Sequence, residues 1–100
     1  MKRLAIGVLL AAAMAGVFLY TGVTRDTEYR RLVAAGDDAL GHDQVFLALE
    51  AFSGAIALKS ESMLAYLKRG ETYHRRGDLA AALRDLTRAS ALAPEATRPL

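Results

Sequence analysis

One hundred residues with two prolines leave room for one small folded unit beside any N-terminal segment, and 53% hydrophobic against 24% charged content excludes a disordered chain. The absence of cysteine excludes a disulfide framework, a thiolate metal site, a thiol nucleophile and a lipid-bearing cysteine. The net charge of +2 conceals an asymmetry: Thr24 to Ser62 carries four basic and seven acidic residues, whereas Met63 to Leu100 carries seven basic and four acidic.

After Lys2 and Arg3 no charged side chain occurs until Arg25. Leu4 to Val23 is 20 residues, a helical length of roughly 30 Å and thus the thickness of a hydrocarbon core. Tyr20 stands near the far end, where an interfacial aromatic belongs. Lys2 and Arg3 favour a cytoplasmic N-terminus and an extracytoplasmic C-terminal part, against some opposition from Arg25, Arg30 and Arg31. The alternative is a signal peptide cleaved after Ala13-Met14-Ala15, which would give a secreted or periplasmic protein. Cleavage there leaves the apolar terminus Gly16-Val17-Phe18-Leu19-Tyr20, so the length criterion favours an uncleaved signal-anchor.

Thr24 or Asp26 is expected to cap a helix running to about Leu40, with Asp26 and Glu28 in its first turn. Gly41-His42-Asp43 makes a turn. A second helix runs from about Gln44 to Leu58 on a stripe of Val45, Ala48, Leu49, Phe52, Ala55 and Ile56. Lys59-Ser60-Glu61-Ser62 separates it from the third helix, which either serine can cap. That third helix spans about Met63 to Arg76, and Gly77-Asp78 supplies a turn and an N-cap. The fourth spans about Leu79 to Leu92, buries Leu79, Ala82, Leu83, Leu86 and Ala89, and ends at Pro94.

The string Tyr66-x-x-Arg69-Gly70-x-x-Tyr73, then Ala82-x-x-x-Leu86-x-x-Ala89, then Pro94, has a weaker counterpart 34 residues earlier in Leu32, Ala35, Gly36, Ala39, Ala48, Phe52 and Ala55. Gly70 and Ala82 remove bulk where two helices meet, and Tyr66, Tyr73 and Leu86 fill the space around them. These residues resemble the tetratricopeptide repeat, a helix-turn-helix unit. The resemblance covers Tyr29 to Ala96, with Leu32 in place of the first aromatic, Ala39 in place of the tyrosine and Ser60 in place of a proline. It implies a two-repeat α-solenoid of four antiparallel helices (24–96, repeats 29–62 and 63–96), and together with the apolar N-terminal segment the expectation is an all-α chain: a transmembrane or signal helix (1–23), that solenoid and a tail (97–100). Two repeats are few for a solenoid, so Leu83, Leu86 and Leu92 are expected to lie partly uncovered and to be met by a second copy, a partner or further chain.

Chemistry-bearing residues are sparse. His42 and His74 lack the spacing of a metal site and read as surface residues at helix ends. Asp37 and Asp38 are adjacent, so in a helix they point about 100° apart and read as a solvated edge. No nucleophile-elbow motif holds a serine. An enzyme, a cofactor and a metal are accordingly not expected. Lys68, Arg69, Arg75, Arg76, Arg84, Arg88 and Arg98 are interrupted by Asp78 and Asp85, and read as a solvated face rather than a nucleic-acid surface.

In tetratricopeptide proteins a ligand usually lies along the concave face made by the first helix of each repeat. The resemblance places Arg30, Val33, Asp37 and Leu40, with Leu64, Leu67, Glu71, His74 and Arg75, on that face. Val33 and Asp37 stand where some members carry the lysine and asparagine that clamp a C-terminal carboxylate, so apolar docking of a peptide or helix is the expected mode. The expected function is a membrane-anchored protein-binding scaffold or adaptor for an envelope complex. Its alternatives are a self-associating structural protein, or a small membrane regulator acting through Leu4 to Val23.

Overall fold

The computed structural model describes residues 2–93, and within them the chain is all-α, with four helices and no strand. These are α1 (Lys2–Gly41), α2 (Val45–Leu58), α3 (Met63–Arg76) and α4 (Leu79–Leu92). The connections are three, four and two residues long, so each helix reverses on its predecessor, and α1 packs on α2, α2 on α3 and α3 on α4. Pro94, Glu95, Ala96 and Arg98 lie outside the described residues.

The expected cap at Thr24 or Asp26 is absent, because α1 runs unbroken for 40 residues, about 60 Å by helical rise. No proline or turn-forming cluster interrupts Gly22 to Thr27. The hydroxyls of Thr21, Thr24 and Thr27 instead donate to carbonyls three or four residues behind them, as threonines do inside a helix. The N-terminal part of α1 is long and apolar enough to cross a membrane, with a mean hydropathy of 2.2 over its best window and none of that window buried. The C-terminal part of the same helix carries Gly36 and Ala39, both buried against α2.

The ends of α1 and α3 are closed in the same way. Asp78 N–H donates to the Tyr73 carbonyl and Gly77 N–H to that of His74, with Gly77 left-handed at φ 88°. Gln44 N–H donates to Ala39 and Asp43 N–H to Leu40, with Asp43 left-handed at φ 58°. Both are Schellman closures, and aspartate is among the few side chains that tolerate this backbone. Ser62 caps α3 by accepting from Ala65 N–H at 3.1 Å. Asp78 precedes α4 without a side-chain cap bond, so the expected N-cap there is not made: its φ −87° and ψ 78° lie outside the extended geometry seen at Ser62.

Two close approaches fix the pairs. A methyl group on Gly36 would come within 2.3–2.7 Å of three Phe52 ring carbons, and one on Gly70 within 3.0 Å of Leu86 Cγ and 3.2 Å of Asp85 Cβ. Phe52 and Thr72 are the largest fully buried side chains, and the rest of the core is mostly alanine: Ala39, Ala48, Ala55, Ala65, Ala82 and Ala89. Tyr66, Tyr73, Leu32 and Leu86 are half-buried around them. Leu79 and Leu83, expected on the inward stripe of α4, are 62% and 67% exposed, and Leu83 is one of the residues that the small number of repeats left partly uncovered. Their side of α4 faces away from α3, which takes Ala82, Asp85 and Ala89 instead.

The two glycines are predicted to respond unequally to alanine. A methyl on either gains up to about 1 kcal/mol of helix propensity. At Gly36 it must displace a fully buried ring, so Gly36→Ala should be destabilised overall by about 1–3 kcal/mol. At Gly70 the half-buried Leu86 can give way but the buried Asp85 Cβ at 3.2 Å less so, so Gly70→Ala should cost less than Gly36→Ala, under about 1 kcal/mol. Denaturant midpoints followed by helical circular dichroism check both.

Candidate interaction surfaces

Arg69 holds the second pair together. Its Nε and Nη2 donate to the two carboxylate oxygens of Asp85 at 2.7 and 2.8 Å, and Nη1 reaches Ser53 Oγ at 3.3 Å. One guanidinium thus touches α2 and α4 from its seat on α3. The rings of Tyr66 and Tyr73 lie 5.6 and 5.9 Å from its centre, a cation–π distance. Asp85 is buried, and the bidentate bond to it raises the Arg69 pKa. Arg69 and Asp85 therefore do not belong to the solvated basic face expected from the sequence. Helix periodicity carries the missing signal: Asp85 shares the inward stripe of Ala82 and Ala89, and a carboxylate there requires a cation.

A second set of ties joins the pairs along their first helices. Lys68 Nζ donates to Asp37 Oδ1 at 2.7 Å, and Arg75 Nη1 donates to the Leu40 carbonyl at 3.1 Å with Asp43 3.9 Å away. Asp37 is thus exposed, as expected of a solvated edge, and also bridges to α3. Asp38 is solvated, its carbonyl meeting His42 Nδ1 at 2.9 Å. At the opposite end, Asp26 bonds both Arg30 and Lys59, and Tyr29 shares a hydrogen bond with Ser62. Lys59 also lies 4.7 Å from the centre of the Tyr29 ring.

The residues expected to form a concave face differ in exposure. Val33, Leu40 and Leu67 are half-buried, while Arg30, Asp37, Glu71, His74 and Arg75 are exposed and Leu64 is 42% exposed. The structure brings Asp37 beside α3 and Arg75 beside the end of α1. Arg30 is tied to Asp26 of its own helix. Lys68 joins this face through its bond to Asp37 and is not one of the solvated bases that charge patterning suggests. Among the described residues no three histidine, aspartate or glutamate side chains converge as metal ligands.

A second surface lies on the outer side of the first pair. Leu32, Ala35, Asp38 and Ala39 from α1, Gln44 from the connection and Leu47, Glu50 and Ala51 from α2 line an open groove. Comparisons with family models, with characterised proteins and with solved structures found no match to this chain.

Both kinds of ion pair can be tested by substitution. Arg69→Ala leaves Asp85 buried without its cation and should cost about 3 kcal/mol, the low end for a broken buried pair because Arg69 keeps 22% of its side chain in solvent. Replacing both partners together, Arg69→Met with Asp85→Leu, should recover most of that loss in chemical denaturation. The Asp26 carboxyl is held below the ordinary carboxylate range, chiefly by Lys59 and then by Arg30. A lowered folded-state pKa adds stability above the unfolded-state value, and that stability vanishes as pH falls through the folded one. Wild type should therefore melt slightly above Asp26→Asn at neutral pH, with the gap closing in acid.

Proposed function

We propose that the chain is a membrane-anchored, non-enzymatic scaffold whose two tetratricopeptide-like repeats hold a peptide or helix of another protein across the face of α1 and α3. One observation carries this reading: the two helix pairs repeat the same construction 34 residues apart. Gly36 meets Phe52 as Gly70 meets Leu86, and the closure at Asp43 recurs at Gly77. A stack built on one repeating plan serves to present an extended surface.

The chemistry of that face supports a helix-in-groove contact. Its centre is apolar at Val33, Leu64 and Leu67, and its margins carry Glu71, His74 and the Asp37–Lys68 pair. An amphipathic segment with a short apolar stripe and mixed charges at its edges would match it. The apolar start of α1 supports a single membrane span with the repeats held close to the bilayer, and Lys2 and Arg3 favour an extracytoplasmic position for them.

A photoreactive phenylalanine analogue at Leu64 tests the groove in intact membranes. It should trap a partner that the same probe at exposed Ala57 on α2 does not. Leu67→Asp with His74→Glu should abolish the product, and its survival in that double variant would remove the groove from the function.

A further inference from the structure

Very little chain separates the apolar stretch of α1 from the helical stack. Val23 ends that stretch, Arg25 is the next charged residue, and α1 continues through both without a break. Asp26 stands three residues past Val23, a rise of about 4.5 Å, and Tyr29 six residues past it, about 9 Å. These two residues hold the α2–α3 connection. Lys59 bonds the Asp26 carboxylate, the Tyr29 and Ser62 hydroxyls share a hydrogen bond, and Lys59 Nζ lies 4.7 Å from the centre of the Tyr29 ring. Because each helix reverses on its predecessor, this connection is at the end of the stack nearer the apolar stretch. The turns at His42-Asp43 and Gly77-Asp78 are at the other end. Tyr29 to Gly41 is twelve residues, so the two ends lie about 18 Å apart along α1.

We propose that the α2–α3 connection is a membrane contact in its own right, with Lys59, Ser60 and Glu61 seated in the phospholipid headgroup layer beside the end of the α1 span. The inference rests on the reading of α1 as a membrane span and adds to it the bilayer surface as a partner of the stack. Height decides it. The polar layer outside the hydrocarbon is about 5–8 Å deep on each side. Asp26, about 4.5 Å past Val23, lies within that layer, and Tyr29 at its outer edge. Tilting α1 by about 20° moves a helix packed about 9 Å to its side by only about 3 Å, less than the depth of the layer. Composition agrees, since tyrosine and lysine settle at this level with an apolar body and a polar tip. Ser60 and Glu61 are exposed and polar, and Arg25, also exposed, stands between Val23 and Asp26 where lipid phosphate lies. The bases near this end, Arg25, Arg30, Arg31 and Lys59, exceed its acids, Asp26, Glu28 and Glu61, by one. Three of those bases are held by Asp26 and Glu28. The length of α1 therefore sets the seat, and anionic lipid is not required. The stack stands on end, and its α1 and α3 face rises from the bilayer surface.

The chain has no cysteine, so a single introduced one takes a fluorophore without background. Full-length protein labelled at Ser60→Cys, in phosphatidylcholine vesicles doped with a lipid bearing a nitroxide on its headgroup, should lose most of its emission. The same label at His42→Cys, exposed at the far end of the stack, should keep most of it. A label at Ala13→Cys, read against a nitroxide near the ends of the acyl chains, reports the span itself. An insert of about two polar helical turns after Val23 lifts Ser60 by about 11 Å and should restore its emission. Quenching at Ala13 with none at Ser60 would overturn the headgroup contact and leave the span standing. Equal quenching at Ser60 and His42 would mean that the stack lies on its side, which also overturns it. Quenching at Ser60 that survives the insert does the same. No quenching at Ala13 would remove the membrane span, and the contact with it.

Discussion

The bidentate bond from Arg69 to Asp85 is the constraint on which the second half of the molecule depends. A carboxylate on the inward stripe of α4 is costly unless a cation is brought to it in good geometry. Arg69 meets that demand from α3 and extends to Ser53 on α2, so three helices are held by one planar group. The first pair has alanine at both matching positions, Ala35 and Ala51, and relies on the Phe52 ring pressed against Gly36. One half is therefore secured by apolar packing, and the other by a polar clamp between two tyrosines.

The same difference leaves the two pairs unlike in their surfaces. In the second pair the positions of Arg69 and Asp85 belong to a joint already filled by α2, whereas Ala35 and Ala51 line an open groove. Pairing of Lys68 with Asp37 and Arg75 with Asp43 uses part of the opposite charge of the two halves inside one molecule.

Continuity of α1 joins these surfaces to the apolar N-terminal segment. A capped break near Thr24 would make a hinge, but an unbroken hydrogen-bonded helix transmits orientation over its length. The axis along which the pairs are stacked runs across α1 and not along it, since α2, α3 and α4 follow one another sideways. Near its middle, α1 is tied back to the rest by Asp26 with Lys59 and Tyr29 with Ser62.

Much of the helical layout was legible in the residues. Met63–Arg76 is bounded by Ser62 and Gly77, whose local chemistry marks its ends without help from tertiary contacts, and Leu79–Leu92 starts directly after that closure. The stripe from Val45 to Ile56 and the small residues Gly36, Gly70 and Ala82 follow from periodicity, because a helix sets its own 3.6-residue repeat. Tertiary structure alone decided which arc of each helix has a neighbour. Leu49 and Leu83 occupy matching positions in matching patterns, yet one is covered and the other bare, because α3 follows α2 and no described helix follows α4. The same holds for Arg69, a surface base by composition and a clamp by position, since a side chain's partner lies on another helix and no local pattern encodes it.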